Sequence, residues 1–262
     1  MMIKRRRELE IMAEAAAINR EALEAVEAAI APGVTTAELN AIAEDAIVSR
    51  GGRPANKGYH GFPATLCTSV NEVVVHGMPN DHPLVEGDIV SVDIGTFYRG
   101  YAADMAGTYP VGTISPEASR LLRATERALY TGIGAALVGN RLGDVSAAIQ
   151  VEVEAAGFWV VREFVGHGIG RDYHETPELP NFGRVGTGPR LRPGLVLAIE
   201  PMVTERPTSV QVLEDNWTAP TADGSLAAHF EHTVAITEEG PWVLTGREEP
   251  RPIVRGGGVH GA

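Results

Sequence analysis

Hydrophobic residues recur at helical spacing near the start of the chain. The stripe consists of Leu9, Met12, Ala16, Leu23, Val26 and Ile30. This spacing predicts an amphipathic helix, with residues 4–7 as its solvated first turn. Pro32 ends the helix. Thr35 and Glu38 then form a capping box, which predicts a second helix that ends near Ser49.

A second pair of helices is predicted further along the chain. Ser115 caps a helix that begins at Pro116 and ends near Val138. The next helix spans about residues 144–156 and stops at Gly157. Short β-type runs lie between and after the two pairs. They cover residues 65–69, 89–94, 101–109, 195–203 and 230–236.

The order of these elements repeats along the chain. Glu38 in the second helix corresponds to Asp144 in the fourth, and the run 87–93 corresponds to 194–200. We interpret the matches as an internal duplication, with chance alignment of two short segments as the alternative. The predicted class is α/β (α+β), in one domain over residues 1–250. Its pseudo-repeats cover about 1–110 and 111–250, and residues 251–262 form a glycine-rich flexible tail.

Composition and charge narrow the classes of function. Acidic residues exceed basic ones by 34 to 22, and the resulting net charge of -12 disfavours binding to DNA or to an anionic membrane. No apolar stretch is long enough to cross a bilayer. Cys67 is the only cysteine, which excludes an internal disulfide and a thiolate-rich zinc site. A cytoplasmic location is therefore expected.

Carboxylates interrupt two of the apolar strand patterns. Asp93 lies within the run 89–94, and Glu200 directly follows the apolar residues 195–199. A buried isolated carboxylate must be protonated, paired with a cation or bound to a metal. For either residue alone, a strand end that reaches solvent is the alternative.

A third carboxylate, Asp104, lies in the following strand. A hairpin that turns at Tyr98 and Arg99 would place Asp104 directly opposite Asp93 on the same face. Two like charges in that arrangement are destabilising unless a cation lies between them. A divalent ion is the favoured occupant, and a half-protonated acid pair is the alternative.

Two further segments add candidate donors. The loop 166–175 carries two imidazoles between glycines, and Glu231 begins a β-branched run. The complete donor set is Asp93, Asp104, His167, Glu200 and Glu231. Four carboxylates with one imidazole suit two divalent ions about 3.5–4 Å apart. Oxygen-rich ligation of this kind favours Mn, Fe(II) or Co over a thiolate-built zinc site.

With these motifs in the same order, the chain resembles the type I methionine aminopeptidases from the first helix to about Thr245. The most specific matches are residues 58–63, 69–72, 76–77, 166–175, 200–202 and 231–233, with Asp93 and Asp104. The resemblance implies the pita-bread fold, a pseudo-two-fold arrangement of helix pairs and antiparallel sheet. It implies removal of the initiator methionine from nascent polypeptides whose second residue is small. It also implies two divalent ions, with Co, Mn, Fe(II), Zn and Ni all open.

The resemblance also implies a role for each site residue. Asp93 chelates one ion, Asp104 and Glu231 bridge both, and His167 with Glu200 completes the other. His174 binds substrate and steadies the reacting carbonyl, His76 contacts the substrate near its amine or scissile peptide, and Glu200 moves a proton. The methionine pocket consists of Tyr59, Phe62, Cys67, Tyr173 and Trp217.

Some positions depart from the family pattern. Asn56 stands where cysteine is common, Phe62 where tyrosine is frequent and His229 where glutamine is frequent. Ala103 and Met105 flank Asp104 where many relatives have glycine and threonine, which removes a hydroxyl near the metal. These departures leave metal and inhibitor preference open.

Two rival functions remain at this point. An X-Pro-cleaving metallopeptidase of the same fold would share the ligands, but it normally carries an extra amino-terminal domain. A non-catalytic pita-bread binding protein would usually have lost ligands. A monomer is expected, and contact of residues 4–7 with the ribosome surface is an open alternative to a solvated helix start.

Overall fold

The computed structural model describes residues 2–246, and the predicted tail over 251–262 lies outside them. Four α-helices occur in the described residues. They are α1 (Arg6–Ala29), α2 (Thr36–Ser49), α3 (Pro116–Ala135) and α4 (Leu142–Ala155). The four predicted helices are thus confirmed, with ends shifted by a few residues. Within residues 2–246, no helix combines the length and apolar character needed to span a membrane.

Local capping explains where the helices begin. The Thr35 side chain accepts a hydrogen bond from the Glu38 amide, and Glu38 Oε2 accepts one from the Thr35 amide at 2.8 Å. Asp144 holds the same N3 position of α4, where its Oδ2 accepts from the Arg141 amide at 2.6 Å. Satisfied amides of this kind stabilise a helix start. The second helix of each pair therefore begins with the same contact, in which a carboxylate at N3 accepts a hydrogen bond from the N-cap amide.

The residues before α1 differ from the expectation of a solvated turn. Arg5, Arg6 and Arg7 are exposed, but Lys4 is only 6% exposed. The Lys4 ammonium group pairs with Glu175, and the Lys4 amide donates to the carbonyl of Gly194 at 2.7 Å. The predicted exposure of Lys4 was therefore wrong. Its partner Glu175 is distant in the sequence, so the local pattern could not indicate the contact.

Antiparallel sheets connect the helices. The strands are β1 (Arg53–Pro54), β2 (Leu66–Val70), β3 (Val73–Val75), β4 (Ile89–Tyr98), β5 (Tyr101–Pro110), β6 (Trp159–Val160), β7 (Gly166–Gly168), β8 (Glu175–Leu179), β9 (Val196–Ile199), β10 (Met202–Thr204), β11 (Ala219–Pro220), β12 (Ala227–His229), β13 (Glu231–Thr237) and β14 (Gly240–Val243). The main sheet has the order β1-β4-β5-β13-β9-β7-β8, with β2 on β4 and β14 on β13. Smaller sheets are β12-β10-β6 and β11-β3. The predicted run 195–203 is divided into β9 and β10 at Glu200 and Pro201, the point where the carboxylate enters the site.

Each helix pair packs on its own part of the main sheet. Leu23, Leu39 and Ile47 of α1 and α2 share a core with Val92 and Ile94 of β4. The helices α3 and α4 pack on the sheet through a separate core, which includes Leu121, Leu129, Ile149, Leu197, Ile199 and Val234. These contacts remove large aliphatic side chains from water, which is the main stabilising contribution in such layers. The result is a curled sheet with helices on its outer face.

Asn19 is the polar position within the apolar stripe of α1. Its side chain is fully buried, and Nδ2 donates to the carbonyl of Ile94 at 2.7 Å. The Thr96 hydroxyl donates to Asn19 Oδ1 at 2.7 Å. Both polar atoms are therefore satisfied, as burial requires. Through these bonds α1 fixes the part of β4 that follows Asp93.

Candidate metal centre

Every predicted site residue lines one cavity of about 360 Å³. The cavity contains Asp93, Asp104, His167, Glu200, Glu231, His76, His174, Tyr59, Phe62, Cys67, Tyr173 and Trp217. They come from the main sheet, from the segment around the 3-10 turn Tyr59–Gly61 and from the loops beside β3, β8 and β11. The structure thus gathers side chains that are distant in the sequence into a single site.

The hairpin formed by β4 and β5 has a different register from the prediction. Asp93 pairs with Ala106, and Asp104 pairs with Gly95. The turn lies at Arg99 and Gly100, with φ of 49° and 82°. A two-residue loop with both residues in the left-handed region suits the twist of the strands. The predicted direct opposition of the two aspartates was therefore wrong by one position in the turn.

The register shift keeps both aspartates on the same face of the sheet. Asp93 and Asp104 are diagonal neighbours, because Asp104 lies two residues from the partner of Asp93. Asp104 is 4% exposed and Glu231 is 2% exposed. The atoms Asp93 Oδ1, Asp104 Oδ1 and Glu231 Oε1 are buried and have no hydrogen-bond partner. Buried oxygens without donors are the atoms that cations would satisfy.

The pKa values of the buried carboxyl groups also favour cations in this cavity. Burial, followed by the nearby negative charge of Asp93, raises the pKa of Asp104 and of Glu200 well above the usual range. Burial and the charge of Asp104 likewise raise the pKa of Glu231. Without cations, these groups are harder to ionise than free carboxyl groups. Divalent ions remove that penalty, so the residues present fit a metal centre.

Two compact groups of donors share one carboxylate. Asp104, His167 and Glu231 offer ligand atoms within 4.8 Å of one another. A second group consists of Glu200, His229 and Glu231, with the same spacing. The position of Glu231 in both groups suits a bridging carboxylate. Asp93 lies in the same cavity but in neither group.

The surroundings of His167 suit a metal ligand. Its Nδ1 lies 2.9 Å from the Gly168 carbonyl, which favours a proton on Nδ1 and leaves Nε2 to bind a metal. Nε2 lies 3.5 Å from Glu200 Oε1 and 3.9 Å from Asp104 Oδ2. Burial lowers the pKa of His167 to about 4, so the imidazole is neutral at pH 7.

Glycine allows β7 to carry His167 into the centre. A Cβ at Gly168 would lie 2.7 Å from the carbonyl oxygen of Thr176 in the neighbouring strand. A Cβ at Gly166 would overlap the carbonyl oxygen of Ala198. Side chains at either position would therefore push β7 away from its neighbours.

The two predicted catalytic imidazoles line other parts of the cavity. His174 is exposed, and its Nδ1 lies 2.7 Å from the Tyr59 hydroxyl. Its ring centroid is 3.9 Å from that of His167. His76 has a left-handed backbone with φ of 58° and packs edge-on against Phe164. Burial and the neighbouring His229 lower the pKa of His76 to about 4, so this ring is also neutral.

Aromatic rings form the apolar part of the cavity. Phe62 and Trp217 pack edge to face, with ring centroids 5.1 Å apart. The Tyr173 hydroxyl donates to Asn56 Oδ1 at 2.7 Å, and Asn56 Nδ2 donates to the Asp93 carbonyl at 3.4 Å. The unusual asparagine thus connects the pocket to a strand that carries a carboxylate.

The departures beside Asp104 point away from the metal face. Ala103 is fully buried, and Met105 belongs to the apolar core beneath α1 and α2. The Thr233 hydroxyl accepts from the Asp104 amide at 2.9 Å and donates to the Asp104 carbonyl at 2.7 Å. A hydroxyl from β13 therefore fixes the main chain of Asp104.

Sequence reasoning did not assign several cavity residues. They are His60, Val75, Phe164, Val165 and Met202, with Asn56 and His229 noted only as departures from the family pattern. His229 was visible as a histidine two positions before a candidate ligand, and Phe164 lies two positions before the glycine-rich loop. Those spacings alone do not show which side chains meet in the cavity.

A curled antiparallel sheet with helix pairs outside and a carboxylate-rich centre inside defines a metallopeptidase of the pita-bread class. Metallopeptidase family M24 matches residues 10–238, and the chain belongs to this family. Within it, the chain is one of the methionine aminopeptidases, which are metal-dependent hydrolases with divalent ions as cofactors. The expected family and fold are confirmed.

Known relatives cover almost the whole chain. The methionine aminopeptidase of Clostridium perfringens is 51% identical over 245 residues, which is 94% of this chain and 98% of that protein. The crystal structure of methionine aminopeptidase from Thermotoga maritima is 46% identical with a TM-score of 0.93, over 94% of this chain and 100% of that one. A prolidase from Pyrococcus furiosus is 23% identical with a TM-score of 0.74, over 94% of this chain and 66% of that one. The prolidase shares the fold alone.

Proposed function

We propose that this enzyme releases the amino-terminal methionine from nascent polypeptides whose second residue is small. One observation carries the proposal: the candidate ligands, the imidazoles and the apolar pocket all line one cavity of about 360 Å³. A methionine side chain in the pocket would place the first peptide bond beside the carboxylates. The relatives named methionine aminopeptidase support the same reaction.

Five side chains would hold two divalent ions. Asp93 would chelate one ion, Asp104 and Glu231 would bridge, and His167 with Glu200 would complete the other. The buried, unpartnered oxygens of Asp93, Asp104 and Glu231 support this assignment. When bound, the ions lower the pKa of a shared water toward neutrality and polarise the peptide carbonyl.

The imidazoles would act on the substrate itself. Nδ1 of His174 lies 2.7 Å from the Tyr59 hydroxyl, and a hydroxyl that donates to Nδ1 would leave the ring proton on Nε2. In this tautomer His174 donates a hydrogen bond to the carbonyl oxygen as negative charge develops there. His76, neutral because of its lowered pKa, would contact the substrate near its amine or scissile peptide. Glu200, which lies beside the ions, would move a proton to the departing amine.

The pocket would determine which residue is removed. Phe62 and Trp217, together with Tyr59, Cys67 and Tyr173, offer an apolar lining to the flexible thioether. The free α-amine of the substrate would lie against the carboxylates, which restricts cleavage to the first residue. A tight following subsite requires a small second residue.

A peptide panel tests this function. The metal-stripped protein is supplied anaerobically with each of Co, Mn, Fe(II), Zn and Ni, and free amino acids are measured. We expect metal-stimulated release of methionine from Met-Ala-Ser, and no cleavage of Met-Lys or Ala-Pro peptides. Cleavage of Ala-Pro alone would instead favour an X-Pro-specific enzyme. Binding of Met-Ala-Ser without cleavage under any metal would favour the non-catalytic alternative.

The cellular setting is part of the same proposal. We propose a monomer that acts in the cytoplasm, a compartment that the single cysteine supports. The acidic net charge disfavours DNA or an anionic membrane as a partner. Arg5, Arg6 and Arg7 are exposed and available for contact with the ribosome surface, whereas Lys4 is buried. Cosedimentation with ribosomes, compared between the wild type and an Arg5→Glu, Arg7→Glu variant, tests that contact. Equal sedimentation of the wild type and the variant would show that these arginines do not contact the ribosome.

A further inference from the structure

His229 is a second imidazole that enters the metal centre. It ends β12, is only 2% exposed and lines the same cavity as the candidate ligands. Its Nε2 atom is buried and has no hydrogen-bond partner. A buried ring nitrogen without a partner is costly in a folded protein, so its orientation calls for an explanation.

The backbone holds this imidazole in place. The Thr108 hydroxyl accepts from the His229 amide and donates to the His229 carbonyl, both at 2.9 Å. The Ser91 hydroxyl lies 2.8 Å from the Thr108 hydroxyl, and His229 pairs with Met202 of β10. Three strands thus hold the main chain from which the His229 side chain enters the cavity, as a preorganised ligand requires.

Distances around Glu200 are those of neighbouring ligands. Glu200 Oε1 lies 3.5 Å from His167 Nε2, and Glu200 Oε2 lies 3.6 Å from His229 Nε2. Donors bonded to one ion at about 2.1 Å are about 3.0–3.4 Å apart in octahedral or tetrahedral geometry. Both imidazoles therefore need to move by only a few tenths of an ångström to share an ion with this carboxylate.

We propose that His229 is a metal ligand, which with Glu200 and Glu231 forms a donor set for an ion in this centre. The three donors offer atoms within 4.8 Å of one another, as do Asp104, His167 and Glu231. His229 then joins Glu200 as a ligand of the ion that His167 and Glu200 complete, so the centre has two imidazole ligands. This inference rests on the proposed metal centre and adds a ligand to it.

A second imidazole changes which ions the centre prefers. Imidazole nitrogen suits Zn, Fe and Ni, whereas oxygen donors suit Mn. A ligand role for His229 therefore predicts that replacing it weakens Zn binding more than Mn binding. A merely structural role would weaken both ions equally, because loosening the cavity would not distinguish donor types.

Metal titration of the full-length, metal-stripped chain tests the ligand role. Zn(II) and Mn(II) are titrated separately into the wild type, His229→Gln and His82→Gln, which alters an exposed imidazole outside the cavity. We expect His229→Gln to lose clearly more in Zn affinity than the roughly 10–100-fold that loss of an outer-shell partner costs, and clearly less in Mn affinity. His82→Gln should match the wild type. Unchanged affinities, or equal losses for both ions, would overturn the proposal.

Diffraction from the wild type gives a readout that needs no variant. In Zn-loaded crystals, an anomalous peak within about 2.3 Å of His229 Nε2 confirms the ligand. Peaks that all lie beyond about 3 Å from Nε2 would overturn it and make His229 a hydrogen-bond partner of Glu200. Release of methionine from Met-Ala-Ser by the wild type would continue in that case, which separates this failure from failure of the proposed function.

Discussion

The ammonium group of Lys4 lies 2.5 Å from Oε2 of Glu175, and both side chains are almost completely buried. Glu175 directly follows His174, and its Oε1 accepts a hydrogen bond from the Arg171 amide at 2.9 Å. The start of the chain therefore stabilises the loop that presents His174 to the cavity. Lys4 is thus a positioning residue, which affects the cavity through the loop that carries His174.

Substituting Lys4 by Met should destabilise the protein and slow the reaction. The change leaves the Glu175 carboxylate buried without its cation, which costs about 3 kcal/mol in comparable cases. The loop with His174 loses its support, so kcat should fall as well. Urea unfolding and release of methionine from Met-Ala-Ser measure the two effects.

A matched control is Arg6→Met, which breaks the exposed pair between Arg6 and Glu10. Exposed pairs contribute less than about 1 kcal/mol, so this variant should resemble the wild type. Equal stability of the Lys4 and Arg6 variants would contradict the proposed role of the buried pair.

His174→Ala should keep its metals and lose most of its activity. The side chain is placed to donate to the reacting carbonyl and lies outside both compact donor groups. Loss of one such donor lowers kcat by about 100-fold or more. Metal content and kcat are measured on the same sample, with His60→Ala as a control at another cavity position. A variant that has lost its metals would show that His174 is a ligand instead.

Gly95→Ala should disturb the methionine pocket from the sheet side. Gly95 pairs with Asp104, and a Cβ there would overlap the Tyr173 phenol. Tyr173 must then move, so KM for Met-Ala-Ser should rise, and overpacking should cost about 1–3 kcal/mol of stability. Gly134→Ala is the control, because its Cβ meets open space on α3. Wild-type KM in the Gly95 variant would show that Tyr173 does not line the binding site.

The Cys67 thiol should resist alkylation over a wide pH range. Burial and the charge of Asp93 raise the pKa of Cys67 well above its usual value. A raised pKa means that the reactive thiolate forms only at higher pH than in the unfolded chain, where the pKa is about 8.5. Iodoacetamide labelling at pH 7 to 9 should therefore be slow in the folded protein and fast in guanidinium chloride. Equal rates in the two states would contradict this environment.

Local signals in the sequence predicted the helices, and they drew attention to residues that the structure brings into one cavity. The capping pair Thr35 and Glu38 acts over three residues, so its geometry follows from the sequence itself. The carboxylates Asp93 and Glu200 stood out because charge within an apolar strand needs a special reason. Both residues do line the cavity.

Features that depend on distant partners could not be predicted. The register of β4 and β5 depends on which two residues adopt left-handed backbone, and Arg99 gives no signal as clear as that of Gly100. Lys4 is buried because it pairs with Glu175, and the sequence does not reveal this contact because the two residues are 171 positions apart. His229 faces the cavity because β12 pairs with β10, a contact that the spacing to Glu231 does not reveal.

The central claim is a two-ion centre in which Asp104 contacts both ions. Equilibrium dialysis against Mn(II) of the wild type, Asp104→Asn and the exposed control Asp81→Asn measures bound metal per chain. The account predicts two ions in the wild type and in Asp81→Asn, and none retained by Asp104→Asn, since both sites lose a shared ligand. Two ions bound by Asp104→Asn would contradict it.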